Sequence, residues 1–162
     1  MSRPSIEKKA SDLLEQSGVE GTYPVPLVPI AESLGYKLKE FEPDEATQKI
    51  SGLVHYAKAS ILVNAQEPEL RKRFTIAHEL GHIVLHGEGQ NYIDYRTISP
   101  IAEHAQNPGK ETEANNFAAA LLMPETKFRE IFNLHKNYQA IAKYFDVSPD
   151  AARLRCINLK LS

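Results

Sequence analysis

Arg73 to His86 reads RFTIAHELGHIVLH, and within it His78, Glu79 and His82 stand in the order H-E-x-x-H. On an α-helix advancing about 100° per residue, positions four apart return to nearly the same face, so two imidazoles can converge on one ion. Glu79 points near the pair and need not ligate. A carboxylate there suits a general base that takes a proton from an ion-activated water and passes it to a leaving amine, the chemistry of zinc-dependent peptide hydrolysis. The other residues fit a helix with one buried side. Ile76, Ala77, Leu80, Ile83 and Val84 occupy the opposite arc, leaving the polar stripe for a cleft. Gly81 costs roughly 1 kcal/mol against alanine in a helix interior, which suggests close approach by another backbone, and Gly87 supplies a helix stop.

His86 continues the four-residue series and invites a reading as third ligand, but distance argues against it. Eight residues at about 1.5 Å each place it about 12 Å along the axis from His78, whereas zinc–nitrogen bonds are about 2 Å long. It is assigned instead to lining the cleft or to the C-terminal end of the helix, where a cation is favoured.

The third ligand is expected from another element, and Glu111 to Pro124, ETEANNFAAALLMP, is strongly helical by its alanine and leucine content. Glu111 and Glu113 fall about 160° to 200° apart on such a helix, so at most one faces the ion. Glu111 shares its face with Asn115 and the small Ala114 and Ala118, which would permit close helix packing and let Asn115 hydrogen-bond a ligating imidazole. Glu113 lies towards Phe117 and Ala120. Glu111 is the preferred ligand and Glu113 the alternative.

Together, RFTIAHELGHIVLH and the ExEAN-x-FAAALLMP segment resemble the ImmA/IrrE family of bacterial and phage metallopeptidases. Upstream, Ile50-Ser51-Gly52-Leu53 and then Ile61-Leu62-Val63-Asn64 are similar to the family's short hairpin ending in asparagine, so the resemblance spans roughly residues 24 to 160. The ExxA[ND] arrangement also resembles the third-ligand helix of gluzincins. That likeness implies Glu111 as ligand and Asn115 as support, with Asn where Asp is often found. The change removes a charge but keeps an acceptor, so orientation should survive while the histidine is less basic.

Composition agrees with one globular enzyme domain over residues 1–162: 42% of the residues are hydrophobic and 25% charged, enough for a single core. There is no long apolar run, and the charged MSRPSIEKKASDLLEQ start reads as an amphipathic helix rather than a leader, so a cytoplasmic location with no membrane partner is the expectation. One cysteine, Cys156, excludes an internal disulfide framework and reads as a packing residue. A net charge of −2 provides no general attraction to nucleic acid.

Helices are predicted over Ser5–Gln16 and Pro26–Leu34, strands over Tyr36–Phe41, Ser51–Tyr56 and Ser60–Val63, and mostly helix after Glu69. The fold class is therefore α+β, zincin-like and mostly helical, with a small, mostly antiparallel three-stranded sheet. Ser51–Tyr56 is a candidate for holding an extended substrate by backbone pairing, or a half-buried structural strand. The polar stretch from His86 to Lys110 is long enough for a lid or cleft wall. Tyr92, Tyr95, Arg96 and His104 in it are possible oxyanion donors, with none singled out. At the C-terminus, residues 138–159 resemble a helix-turn-helix with Ser148 as N-cap. Lys143, Arg153, Arg155 and Lys160 set against Asp146 and Asp150 leave only +2, too little for a concentrated phosphate-binding face, and direct DNA binding is disfavoured.

The sequence thus points to a zinc endopeptidase with His78, His82 and Glu111 as ligands and Glu79 as general base; manganese or iron also suit such a site. The resemblance implies a protein substrate, such as a helix-turn-helix repressor or an antitoxin. The alternative is a metal-binding regulatory or toxin–antitoxin partner that acts by protein binding without efficient proteolysis.

Overall fold

In the computed structural model, residues 1–87, 93–96 and 108–162 are described. Helix α1 (Arg3–Gln16) starts at Ser2, whose hydroxyl accepts the Ser5 N–H, with Pro4 in the first turn. Its apolar side, Ile6, Ala10, Leu13 and Leu14, is buried, and the helix packs against α4. Helix α2 (Leu27–Ser33) leads through Gly35, at φ +82°, into strand β1 (Lys37–Phe41).

Strand β2 (Gly52–His55) and strand β3 (Ser60–Asn64) form a hairpin closed by one 3₁₀ turn, Tyr56–Lys58. The His55 Nδ1 accepts the Lys58 N–H at 3.2 Å there, which commits that imidazole to the turn. Strand β4 (Ile93–Arg96) follows the long helix α3 (Glu69–His86), and the sheet order is β1-β3-β2-β4. β2 runs antiparallel to both its neighbours, while β1 is parallel to β3. The sheet is thus mostly antiparallel, in an α+β fold dominated by helix, as the sequence indicates.

It has one strand more than the three expected. Ile93-Asp-Tyr-Arg is too short to show a period-two pattern inside its polar stretch, so only its pairing reveals it. That fourth strand corrects another expectation. β2 offers no open edge to a substrate, because β3 takes one side and β4 the other.

The C-terminal third consists of α4 (Pro108–Leu122), α5 (Glu125–His135), α6 (Tyr138–Phe145) and α7 (Pro149–Asn158). Phe117, Leu121, Phe128 and Phe145 are fully buried among them, with the Phe128 and Phe145 rings stacked 5.7 Å apart. Ser148 caps α7 by accepting the Ala151 N–H at 3.1 Å. From α7, Arg155 reaches inward, only 3% exposed: it forks onto the Glu7 carboxylate of α1 at 2.5 and 2.9 Å and donates to the Met123 carbonyl at 3.0 Å. Arg73 of α3 likewise donates to the Asp146 and Val25 carbonyls. Cys156 is buried in the core beside these anchors, where burial raises its thiol pKa. Among the described residues no helix is long and apolar enough to cross a membrane.

Candidate metal centre

Helices α3 and α4 share the most extensive contact between elements, and Gly81 is what lets them approach. A Cβ at Gly81 would stand 3.1 Å from the Ala114 carbonyl oxygen and 3.2 Å from both the Ala114 Cα and the Phe117 Cβ. Two helix backbones therefore meet at the turn between His78 and His82. The polar stripe of α3 is covered rather than open: Thr75, His78, Glu79 and His82 are all at most 2% exposed. On the sheet side the cover is β2. A Cβ at Gly52 would lie 2.4 Å from the Thr75 Cγ2 and 3.1 Å from the Leu62 carbonyl oxygen, so it is Thr75 that calls for glycine at the first residue of β2, with the Glu79 Oε1 in ordinary contact at 3.6 Å.

Within that seam three side chains converge. The Nε2 atoms of His78 and His82 are 3.1 Å apart, and the Glu111 carboxylate places Oε2 3.1 Å from the first and Oε1 3.1 Å from the second. All the candidate ligand atoms of this group fall within 4.8 Å of one another. In a tetrahedral zinc site with bonds of about 2.0–2.1 Å, neighbouring ligand atoms are about 3.3–3.4 Å apart, so the donor triangle fits an ion with little adjustment. Two imidazoles and one carboxylate are also the ligand chemistry that zinc accepts with a fourth position left over.

The far side of each imidazole is held as well. His78 donates its Nδ1–H to the Asn115 Oδ1 at 2.7 Å, which leaves Nε2 as the nitrogen that faces Glu111 and that would offer its lone pair to a bound ion. The Nδ1 of His82 is 3.2 Å from the Nδ1 of His86, so one shared proton fixes the second ring. With that proton on His82, its Nε2 also presents a lone pair inward. Beyond it, the His86 Nε2 is 3.9 Å from the Glu113 carboxylate, which in turn is 3.5 Å from the N-terminal amine.

Electrostatics tie the group together. Burial of His78 works against its charged form, but the hydrogen bond to Glu111, the charges of Glu79 and Glu111 and the bond to Asn115 outweigh it and raise the pKa above its ordinary value. For Glu111, burial pushes upward, yet the hydrogen bonds and charge of His78 and His82 hold the carboxyl far below the usual range. Glu111 is thus an anion, as a ligand must be.

Of the residues singled out from sequence, His78, His82 and Glu111 are brought together, with the buried Glu79 acting electrostatically on His78. Glu113 stays outside the donor group, within 3.9 Å of His86 and 3.5 Å of the N-terminal amine. Tyr92 and His104, and the side chains of Tyr95 and Arg96, lie outside the described residues. Sequence reasoning missed two contacts: the grip of His86 on His82, whose signal is the repeated four-residue spacing, and the passage of Gly52 over Glu79, whose signal is a glycine opening a strand.

Two buried imidazoles and a partly buried carboxylate, with a second carboxylate following the first imidazole, form a donor set that could hold a metal ion. Comparison with known proteins makes this particular: the peptidase family described as the IrrE N-terminal-like domain matches residues 31–156, and the chain belongs to it. A relative, the uncharacterized immunity region protein 2 of Bacillus phage phi105, is 28% identical over 110 residues, 66% of this chain and 66% of its own length. Among solved structures, a Mycobacterium tuberculosis transcriptional regulator superposes with a TM-score of 0.65 at 18% identity. It is matched over 97% of this chain but only 46% of its own length, so it shares the fold, and this chain spans about half of it.

Proposed function

We propose that this chain is a cytoplasmic zinc-dependent endopeptidase that cuts a regulatory protein, such as a helix-turn-helix repressor or an antitoxin. The observation that carries the reading is the 3.1 Å triangle of the His78, His82 and Glu111 donor atoms beside the buried Glu79. His78, His82 and Glu111 would hold a divalent ion, which when bound would supply Lewis acidity for the scissile carbonyl and for deprotonation of water near neutral pH. His78 and His82 keep their Nε2 lone pairs aimed inward because Asn115 and His86 occupy the opposite nitrogens. Glu79 takes one proton from the attacking water as its oxygen joins the carbonyl carbon. The same carboxylic acid then delivers that proton to the amide nitrogen as the C–N bond breaks, and the second proton of the water leaves the new carboxylic acid for the amine, giving a carboxylate and an ammonium group. Manganese or iron would serve the same donors.

The substrate class draws support from the phage relative, whose name places it in an immunity region. Direct reading of DNA by α6 and α7 is the weaker alternative, since Arg155 is already committed to Glu7 inside the protein. The test is co-expression of a candidate helix-turn-helix regulator, taken from the neighbouring gene if that gene encodes one, with wild type and with Glu79→Gln. Wild type should yield defined fragments and the variant an intact regulator. Equal biological activity of the variant would support the binding-only alternative instead.

A further inference from the structure

A buried polar clamp, separate from the metal donors, fixes the start of β2. It centres on Asn64, the last residue of β3, which is buried. Its Nδ2 donates to the Ile50 carbonyl at 3.0 Å, its backbone N–H donates to the Ser51 carbonyl at 2.8 Å, and its Oδ1 accepts the Gln66 N–H at 2.9 Å. Ser51, equally buried, donates its hydroxyl to the Glu67 Oε1 at 2.9 Å. Residues 50 and 51 are thereby tied, through both carbonyls and one side chain, to the end of β3 and the turn that leads into α3. The next residue is Gly52, which opens β2 and lies against α3. A Cβ there would meet the Thr75 methyl, and the Glu79 Oε1 stands 3.6 Å from the same point. Asparagine is mostly an exposed residue, so a buried one bonded through both its nitrogen and its oxygen calls for a reason. What a satisfied buried polar group supplies is one defined position for the backbone it grips.

We propose that Asn64, with Ser51 and Glu67, forms a positioning group for the general base: by fixing residues 50–52 it holds the first residue of β2 against the Glu79 carboxylate and confines that carboxylate beside His78. The inference rests on the peptidase reading above. Glu79 needs such a wall more than the ligands do. His78 and His82 are aimed by Asn115 and His86 and would be held further by an ion, whereas a base that does not ligate is placed by its surroundings. A glutamate side chain also has about 1.5–2 kcal/mol of rotamer freedom to lose on burial, among the largest of any residue. Misplacement of a reacting group by about 1 Å costs about 10²-fold in rate. Loosening the clamp therefore slows proton transfer. It leaves the zinc donors on α3 and α4 untouched, so the loss falls on kcat and spares both KM and zinc affinity.

The test uses the zinc-loaded full chain with two readouts. One is kcat and KM on dye-labelled casein. The other needs no turnover: the side-chain carboxyl resonance of Glu79 in protein carrying ¹³C-labelled glutamate, assigned by its loss in Glu79→Gln. Asn64→Ala removes both side-chain bonds of the clamp; Glu67→Ala removes only the acceptor of Ser51 and, at a partly exposed site, keeps the test open where Asn64→Ala does not fold. Both variants should move the Glu79 resonance towards that of a solvated glutamate, and kcat should fall by about tenfold or more with KM and zinc content at their wild-type values. Glu67→Gln keeps an acceptor oxygen for Ser51 and should restore the resonance and kcat together. A Glu79 resonance unmoved in the folded variants, with kcat unchanged, would overturn the positioning role while leaving the peptidase standing, as would a loss confined to thermal stability. A shifted resonance in a protein whose wild type cleaves nothing would keep the clamp and remove the peptidase; neither response would remove both.

Discussion

The two halves of the α3–α4 seam differ in how they are made. From His78 to His82 the seam is polar and covered, and each imidazole is held by a named partner across a few ångströms. From Leu70 to Phe74 it opens into an apolar trough whose third wall comes from α7, far along the chain. The first half fixes directions, as bond-making to an ion requires; the second supplies area and shape. One pair of helices thus carries two surfaces of different character.

If that separation is real, the largest disturbance of the lower half should leave the upper half intact. Glu7→Ala strips the buried Arg155 of its ion-pair partner, and an uncompensated buried charge costs about 3–5 kcal/mol. Thermal or denaturant unfolding should show a loss of that order, while zinc affinity of the remaining folded protein stays at its wild-type value. A parallel fall in zinc affinity would mean that the two halves are one cooperative unit.

The converse disturbance is smaller and is aimed at the upper half. Asn115→Ala and His86→Phe each remove the group that orients one ligating imidazole, and loss of such a partner typically lowers metal affinity 10- to 100-fold. Competition with a chromophoric chelator measures it. Affinity unchanged in both variants would show that packing alone aims the rings.

The same contrast explains what could be read from the chain. His78, Glu79 and His82 sit on one helix at spacings that geometry converts directly into a shared face, and Glu111 with Asn115 repeats the logic on a second helix. Gly81 even marks where the two must touch. The helix and hairpin boundaries were legible for similar reasons, through caps, prolines and short β-branched runs. By contrast, β4 has four residues and is revealed by pairing alone, so neither the closed edge of β2 nor the fourth strand could be read in advance. The trough needs Leu70, Ala119 and Leu154 from three helices, and no local pattern links them. Nor does any spacing rule show that Arg155, a surface cation by composition, is buried against Glu7.

The central claim is that the seam holds an ion and that Glu79 does acid–base work beside it without ligating. The most direct measurement compares peptide hydrolysis by wild type and Glu79→Gln, both loaded with zinc, with metal content determined on the same samples. The account predicts one bound ion per chain in each protein and a rate lower by about 10²- to 10⁴-fold in the variant, the usual worth of a general acid–base residue. Equal rates at equal metal content would contradict it, as would loss of the ion from Glu79→Gln.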